Sequence, residues 1–322
     1  MIGLYYQSHY ICSAKTFPMK FGKLPDVSNI NFLLPQDAPT NRKILEKNPH
    51  QYAQTRFYIG ATGWSMKEWI GTFYPAGTKS KDYLKQYTRQ FNTIEMNTTH
   101  YRIPTAEMVE KWRSEAEADF KFCPKIPQTI SHSNKLGLQT GQIEAFCDAI
   151  RVFGEKLGCC FIQLPPHFGM DQLKVLSAFL QNFPQDIPLA VEARHESWFA
   201  SPQNTQQFLE LLEQNEVAAV ITDVAGRRDV LHMGLTNAMA MIRFVGNGLH
   251  PSDYTRIHNW VERLDQWREQ GMESVYFFVH EPDNIQAPEL ASYLYRQLLP
   301  NPGFITRGPQ IQSNESKQIS LF

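Results

Sequence analysis

Polar and ionisable residues recur along this chain at the ends of short apolar runs: Glu95, Lys125, Gln163, Glu192 with Arg194 and His195, Asp223, Arg243 and His280. Lys and Arg together suit a phosphate or carboxylate, with Arg able to grip it by two parallel hydrogen bonds. The carboxylates Glu95, Glu192 and Asp223, with His195, are the candidate catalytic groups. Such residues move protons or hold a divalent metal ion. Lys125, Arg194 and Arg243 are the candidate anion contacts, with Asn97 and Gln163 beside them.

Eight β-rich runs carry these residues: FYIGAT, NTIEMN, FKFCPK, CCFIQL, PLAVEA, AAVITD, AMIRFV and VYFFVH. Amphipathic helical patterns separate most of them. Ser201 stands as an N-cap, with Pro202 at a first helical position, Ser80 is read as a further cap, and another helix is read to start at Thr105 just after Pro104. The segment from Gln142 is read as helical up to Gly158. Strand–helix alternation over residues 56–300 predicts an α/β fold, a TIM-like (β/α)8 barrel. A doubly wound open sheet is the competitor, but its Gly-rich phosphate turn is absent. Between the sixth and seventh strands only Val224 to Asn237 are available, without helical period, so the barrel is expected to be irregular there. Residues 1–55 read as an irregular arm lying over the domain or partly disordered, and 301–322 as a flexible, disordered tail.

Side chains alternate across a strand, so parity sorts these residues by face. Glu95 aligns with Thr93 and Asn97, Lys125 with Lys121 and Cys123, and Gln163 with Cys159 and Phe161. Glu192 aligns with Ala190 and Arg194, Asp223 with Ala219 and Ile221, Arg243 with Met241, and His280 with Tyr276 and Phe278. Strands two to eight thus end on a polar group of one parity, where this fold places its active sites. Structural ion pairs, such as Glu192 with Arg243, account for two or three of these residues. A functional cleft accounts for the set.

A net charge of −1 argues against a broad basic surface that coats nucleic acid. The five cysteines include no C-x-x-C pair and read as buried thiols of a reduced compartment. No run approaches the length of a membrane helix, and the N-terminus shows no secretory pattern. The expected location is cytoplasmic, with no membrane partner.

GATGWSMKEWIGTFYP, FNTIEMNTTHYRIPTAEMVEKW, FKFCPKIPQTISH, FIQLPP and VEARHESWF, in this order, resemble the YecE-like family, domain of unknown function 72. The resemblance spans roughly residues 57–300 and implies a TIM-barrel-like fold, without an established activity. Its matching positions include Gly60, Gly63, Trp64, Glu95, Asn97, Tyr101, Lys125, His132, Gln163, Pro165, Glu192, Arg194, His195, Trp198, Asp223 and Arg243. Trp64, Tyr101 and Trp198 are of a type that stacks on a sugar or base. His280 and Glu281 depart from the Asn-rich eighth strand end of many relatives.

Three readings follow. One is an enzyme acting on a phosphorylated or nucleic-acid substrate, with metal-assisted hydrolysis as one form and a divalent ion as the possible cofactor. Another is a metal-free glycosidase using Glu95 and Glu192 as acid and base. The third is a binding protein without turnover. The last five residues, Gln318, Ile319, Ser320, Leu321 and Phe322, resemble the Q-L-[SD]-L-F peptide with which bacterial proteins dock on the replication sliding clamp. In that reading Leu321 and Phe322 are anchors for a preformed pocket and Gln318 an orienting hydrogen bond.

Overall fold

The alternating runs form nine parallel strands in a computed structural model that describes residues 22–47 and 54–311. They are β1 (Thr55–Gly60), β2 (Thr93–Met96), β3 (Lys121–Pro124), β4 (Cys160–Gln163), β5 (Leu189–Glu192), β6 (Ala218–Asp223), β7 (Met239–Val245), β8 (Ser274–His280) and β9 (Phe304–Arg307). One ladder runs β4-β5-β6-β7-β8-β1-β9, and β2-β3 forms a second. Single hydrogen bonds link the two. At one seam the Ile126 amide donates to the Phe161 carbonyl at 2.9 Å and Gly158 to Phe122 at 2.7 Å. At the other, the Glu95 amide donates to Ala61 at 3.0 Å. The strand order β1 to β8 is that of a TIM-like barrel, with two ladders and two seams in place of one continuous ladder.

The β1–β2 seam has a cause. β9 pairs with Thr55–Tyr58 and takes the free edge of β1 along most of its length. β2 meets β1 only past that point, at Gly60, where a Cβ would lie 2.6 Å from the Thr93 carbonyl oxygen. Glycine is needed there for close backbone approach. The expected domain boundary at 300 therefore falls too early, since β9 is part of the sheet.

Apolar residues divide between two cores. The larger lies between strands and helices. The smaller, with Cys123, Phe161, Ala190, Val220, Met241 and Phe278, lines the inner face. In β6 the inner positions are Ala218 and Val220, whereas Ala219 and Ile221 belong to the outer core. The expected parity of that strand is reversed. Ser201 caps its helix as expected, and Thr105 caps the helix that was read to start there. Ser80 opens a 3-10 turn before the helix Tyr83–Gln90 and caps nothing, and the helix begun at Gln142 ends at Arg151, well before Gly158.

The link between β6 and β7 carries one short 3-10 turn, Arg228–Val230, where a barrel ordinarily places a helix. The N-terminal arm fills the gap. Phe32 lies under the Arg256 guanidinium at 4.9 Å. Asp37 accepts from Arg263 at 2.5 Å and from the Trp267 indole at 2.9 Å. Asn41 donates to the Met233 carbonyl at 2.6 Å and accepts from the Leu235 amide at 2.8 Å. A short helix, Asn41–Glu46, then buries Ile44 and Leu45. The arm is thus a strap laid along the helix Pro251–Glu269. Among the described residues no helix is long and apolar enough to cross a membrane.

Asp37→Ala leaves the indole N–H of the fully buried Trp267 without its acceptor and the Arg263 guanidinium with only the Pro35 carbonyl. The expected loss is roughly 1–3 kcal/mol, read as a lower urea midpoint at unchanged slope. An unchanged midpoint would show that the strap adds nothing to the barrel.

Candidate functional site

Arg243 points inward from the middle of β7 and is 3% exposed. Its Nε and Nη2 donate to the two oxygens of Glu95 at 2.8 and 2.9 Å. Its Nη1 donates to both oxygens of Glu192 at 3.0 and 2.7 Å. One planar fork thereby joins β2 to β5 across the barrel, a geometry that guanidinium provides and ammonium does not.

The remaining acceptor capacity of both carboxylates is used. Glu95 also accepts from Asn97 at 3.1 Å and faces His280 Nε2 at 3.0 Å. Glu192 accepts from Gln163 at 2.6 Å, Arg194 at 3.1 Å and the Thr222 hydroxyl at 3.0 Å. Gln163 turns its carbonyl oxygen to Lys125 Nζ at 2.8 Å. A neutral amide thus stands between the Lys125 ammonium and the Glu192 carboxylate. Lys125 is 2% exposed and makes no ion pair within 4.0 Å among the described residues.

Charge follows this arrangement. Burial pushes the Glu192 carboxyl up, but Arg243 and Arg194 together outweigh it and hold it at about 2. Burial likewise opposes ionisation of Glu95, and Arg243 with His280 still brings it well below the usual carboxylate range. Burial, then the Arg243 charge, lowers Lys125 to about 8. At the mouth, burial and the Lys125 charge depress His100 to about 4 and lower His132. The two rings lie 5.6 Å apart, and His100 Nδ1 faces the Ile126 carbonyl at 3.1 Å. Burial also lowers His280, against the pull of Glu95. The site therefore combines two ionised carboxylates, three cationic side chains and imidazoles that are neutral near pH 7.

Glu95, Asn97, Lys125, Gln163, Glu192, Arg194 and Arg243 come together as parity predicts, with His280 among them. Asp223 does not. It ends β6 on the outer face, paired with Arg228 and with Arg256 at 2.9 Å, and accepts from the Trp260 indole at 2.8 Å. The reversed parity of β6 puts Thr222 inside instead. His195 accepts from the Ser197 amide at 3.1 Å and caps the turn Glu196–Trp198, outside the network. Trp198 is fully buried, donates to the Phe168 carbonyl at 2.8 Å and packs on Phe208, so it has no face for a substrate. Trp64 packs edge-on against Trp112 at 5.9 Å in the outer layer. Tyr101 is 68% exposed at the mouth, edge-on to His100. His100 and Thr222 were missed. The signal for Thr222 was present: Arg256 and Trp260, four residues apart on one helix face, are outer partners for Asp223.

Among the described residues no group of three His, Cys, Asp or Glu side chains is placed to hold a metal ion. The Glu95 and Glu192 oxygens already serve Arg243, and a cation there would have to displace it. Gln318, Leu321 and Phe322 lie outside the described residues.

The family model described as "Protein of unknown function DUF72" matches residues 58–313. The chain belongs to the DUF72 family. This DUF72 chain is 33% identical over 277 residues to the UPF0759 protein YecE of Escherichia coli, covering 80% of the chain and 98% of that protein. It is 32% identical over 154 residues to the UPF0759 protein YunF of Bacillus subtilis, covering 45% of the chain and 53% of YunF. A crystal structure of a DUF72 family protein from Enterococcus faecalis superposes with a TM-score of 0.62 at 21% identity, over 80% of this chain and all of that one. The strap lies before the stretch matched by the DUF72 model.

Arg243→Met leaves the two buried carboxylates short of their main counter-charge, with an expected loss of roughly 3–5 kcal/mol. The pH dependence has a definite sign. In the native protein the depressed Glu192 pKa contributes stability above its unfolded value, lost as pH falls toward about 2. In the variant burial raises that pKa, so the deficit is largest above pH 7 and shrinks on acidification. Urea unfolding at pH 5 and pH 8 checks this. An equal deficit at both would remove the carboxylates from the explanation.

Proposed function

We propose that this chain is a barrel enzyme whose inner cleft binds an anionic, phosphate-type group of a small substrate, with hydrolysis as the favoured reaction class. The observation that carries this reading is Lys125. A buried ammonium set against a neutral amide, with Arg194 and Arg243 close by, is electrostatically unfinished, and an incoming anion completes it. The carboxylate pair fits the alternative carbohydrate reading poorly. A glycosidase needs one of its two carboxyls protonated as general acid, and both are held ionised here. Glu95 and Glu192 organise the cations in this reading, and proton transfer falls to His100, His132 and His280. Tyr101 and Asn97 stand at the mouth to contact the substrate.

Buried thiols at Cys123, Cys147, Cys159 and Cys160 fit a reducing, cytoplasmic setting. A link to DNA metabolism rests on the terminal peptide alone. It is tested by calorimetric titration of residues 310–322 into a purified bacterial sliding clamp, with Leu321 and Phe322 replaced by Ala as control. Micromolar binding by the native peptide only is expected, and equal heats from both would end the clamp reading.

For the cleft, thermal unfolding in phosphate is compared with chloride at matched ionic strength. At a hundred times the dissociation constant the gain is about 2.7 kcal/mol, or roughly 4–5 °C for a chain of this size. Lys125→Met is expected to remove most of the rise. Equal melting temperatures in the two salts would overturn the anion reading in favour of an ionic plug that is purely structural.

A further inference from the structure

We infer that Lys125 is a nucleophilic amine that forms an imine with a small aldehyde or ketone bearing a carboxylate or phosphate group. The inference rests on the anion reading of the same cleft and names its substrate class. Lys125 follows directly on β3, at the barrel end where the inward polar residues gather. A lysine buried only for stability would be set against a carboxylate. Here Gln163 occupies that place, with one end on Lys125 at 2.8 Å and the other on Glu192 at 2.6 Å. The amide keeps the amine positioned without stabilising its protonated form by a full charge.

The groups that act on the amine come from every side. Arg243 from β7 and Arg194 after β5 repel its proton, and Glu95 and Glu192 retain it. His100 and His132 at the mouth lie close enough to be depressed by its charge and carry none of their own near neutral pH. Burial with Arg243 prevails and puts Lys125 at about 8. That leaves far more of the free amine near pH 8 than an ordinary lysine offers. Desolvation and neighbouring cations are the established means of activating a lysine nucleophile.

The step balances without a co-reactant. The amine lone pair attacks the carbonyl carbon, and the C=O π pair moves to oxygen. The nitrogen loses its protons to that oxygen, which leaves as water as the C=N bond forms. Arg194, held by Glu192 at 3.1 Å, is the cation assigned to the substrate's anionic group in this step.

The test is reductive trapping on the full-length chain with glyoxylate and cyanoborohydride at pH 8, with modified lysines mapped by peptide mass spectrometry. Exposed Lys85 and Lys111 serve as internal references. Lys125 is expected to be modified at least about tenfold faster than either. Phosphate is expected to slow Lys125 alone, and unfolding in urea to erase the difference. Modification of Lys125 no faster than the references overturns the imine inference and leaves the anion reading to the melting experiment. Equal trapping of neutral propanal, unaffected by phosphate, keeps the amine chemistry and overturns the anionic substrate.

Discussion

A single guanidinium, that of Arg243, holds two carboxylates from opposite sides of the barrel, and the inner face is organised around it. Buried charges are costly unless paired and fully hydrogen-bonded. Here the condition is met by recruiting a side chain from almost every strand: Asn97, Gln163, Arg194, Thr222 and His280 each supply a partner. None of the network's atoms is among the buried polar atoms without a hydrogen bond. Well-packed apolar residues would often give comparable stability. The network's distinctive product is therefore its electrostatics: a rigid frame in which the last cation, Lys125, is left against an amide.

The frame also redistributes chemical roles. Residue type alone favoured Glu95 and Glu192 as acid and base. Their shared guanidinium fixes both as anions across the ordinary pH range, which suits positioning and not proton donation. Burial brings Lys125 down to about 8 and raises Glu281, which directly follows His280, to about 7. Only Lys125 touches the network.

Much of this was legible before any coordinates, for a physical reason. In a barrel, polar residues at strand ends have one dry face and one converging face, so alternation reports which side chains meet. Lys125, Gln163, Glu192 and Arg243 could be grouped on that basis, and the Glu192–Arg243 pair was foreseeable as structural. The rule failed at β6, where both parities are equally apolar until the last two residues. Thr222 and Asp223 are then each plausible inside, and the outcome is set by Arg256 and Trp260 on a helix some thirty residues later. Trp198 failed differently. Its indole serves a backbone carbonyl and the outer core, and nothing local distinguishes a ring that packs from one that stacks on a ligand. The strap was legible only as an irregular arm that either lies over the domain or is partly disordered; where it docks was not, because irregular backbone has no period, although its job is that of the helix missing after β6.

That job imposes an order of assembly. Asp37 is made before its partner Trp267, which lies 230 positions further along. During synthesis the strap leaves the ribosome with nothing to hold. It must wait while seven strands are laid down, and it can dock only after the helix Pro251–Glu269 has emerged. Docking closes a loop that encloses most of the barrel, an entropically late event. The strap is therefore made before the barrel and fastened after its seventh strand, and the outer face beneath it stays bare until then.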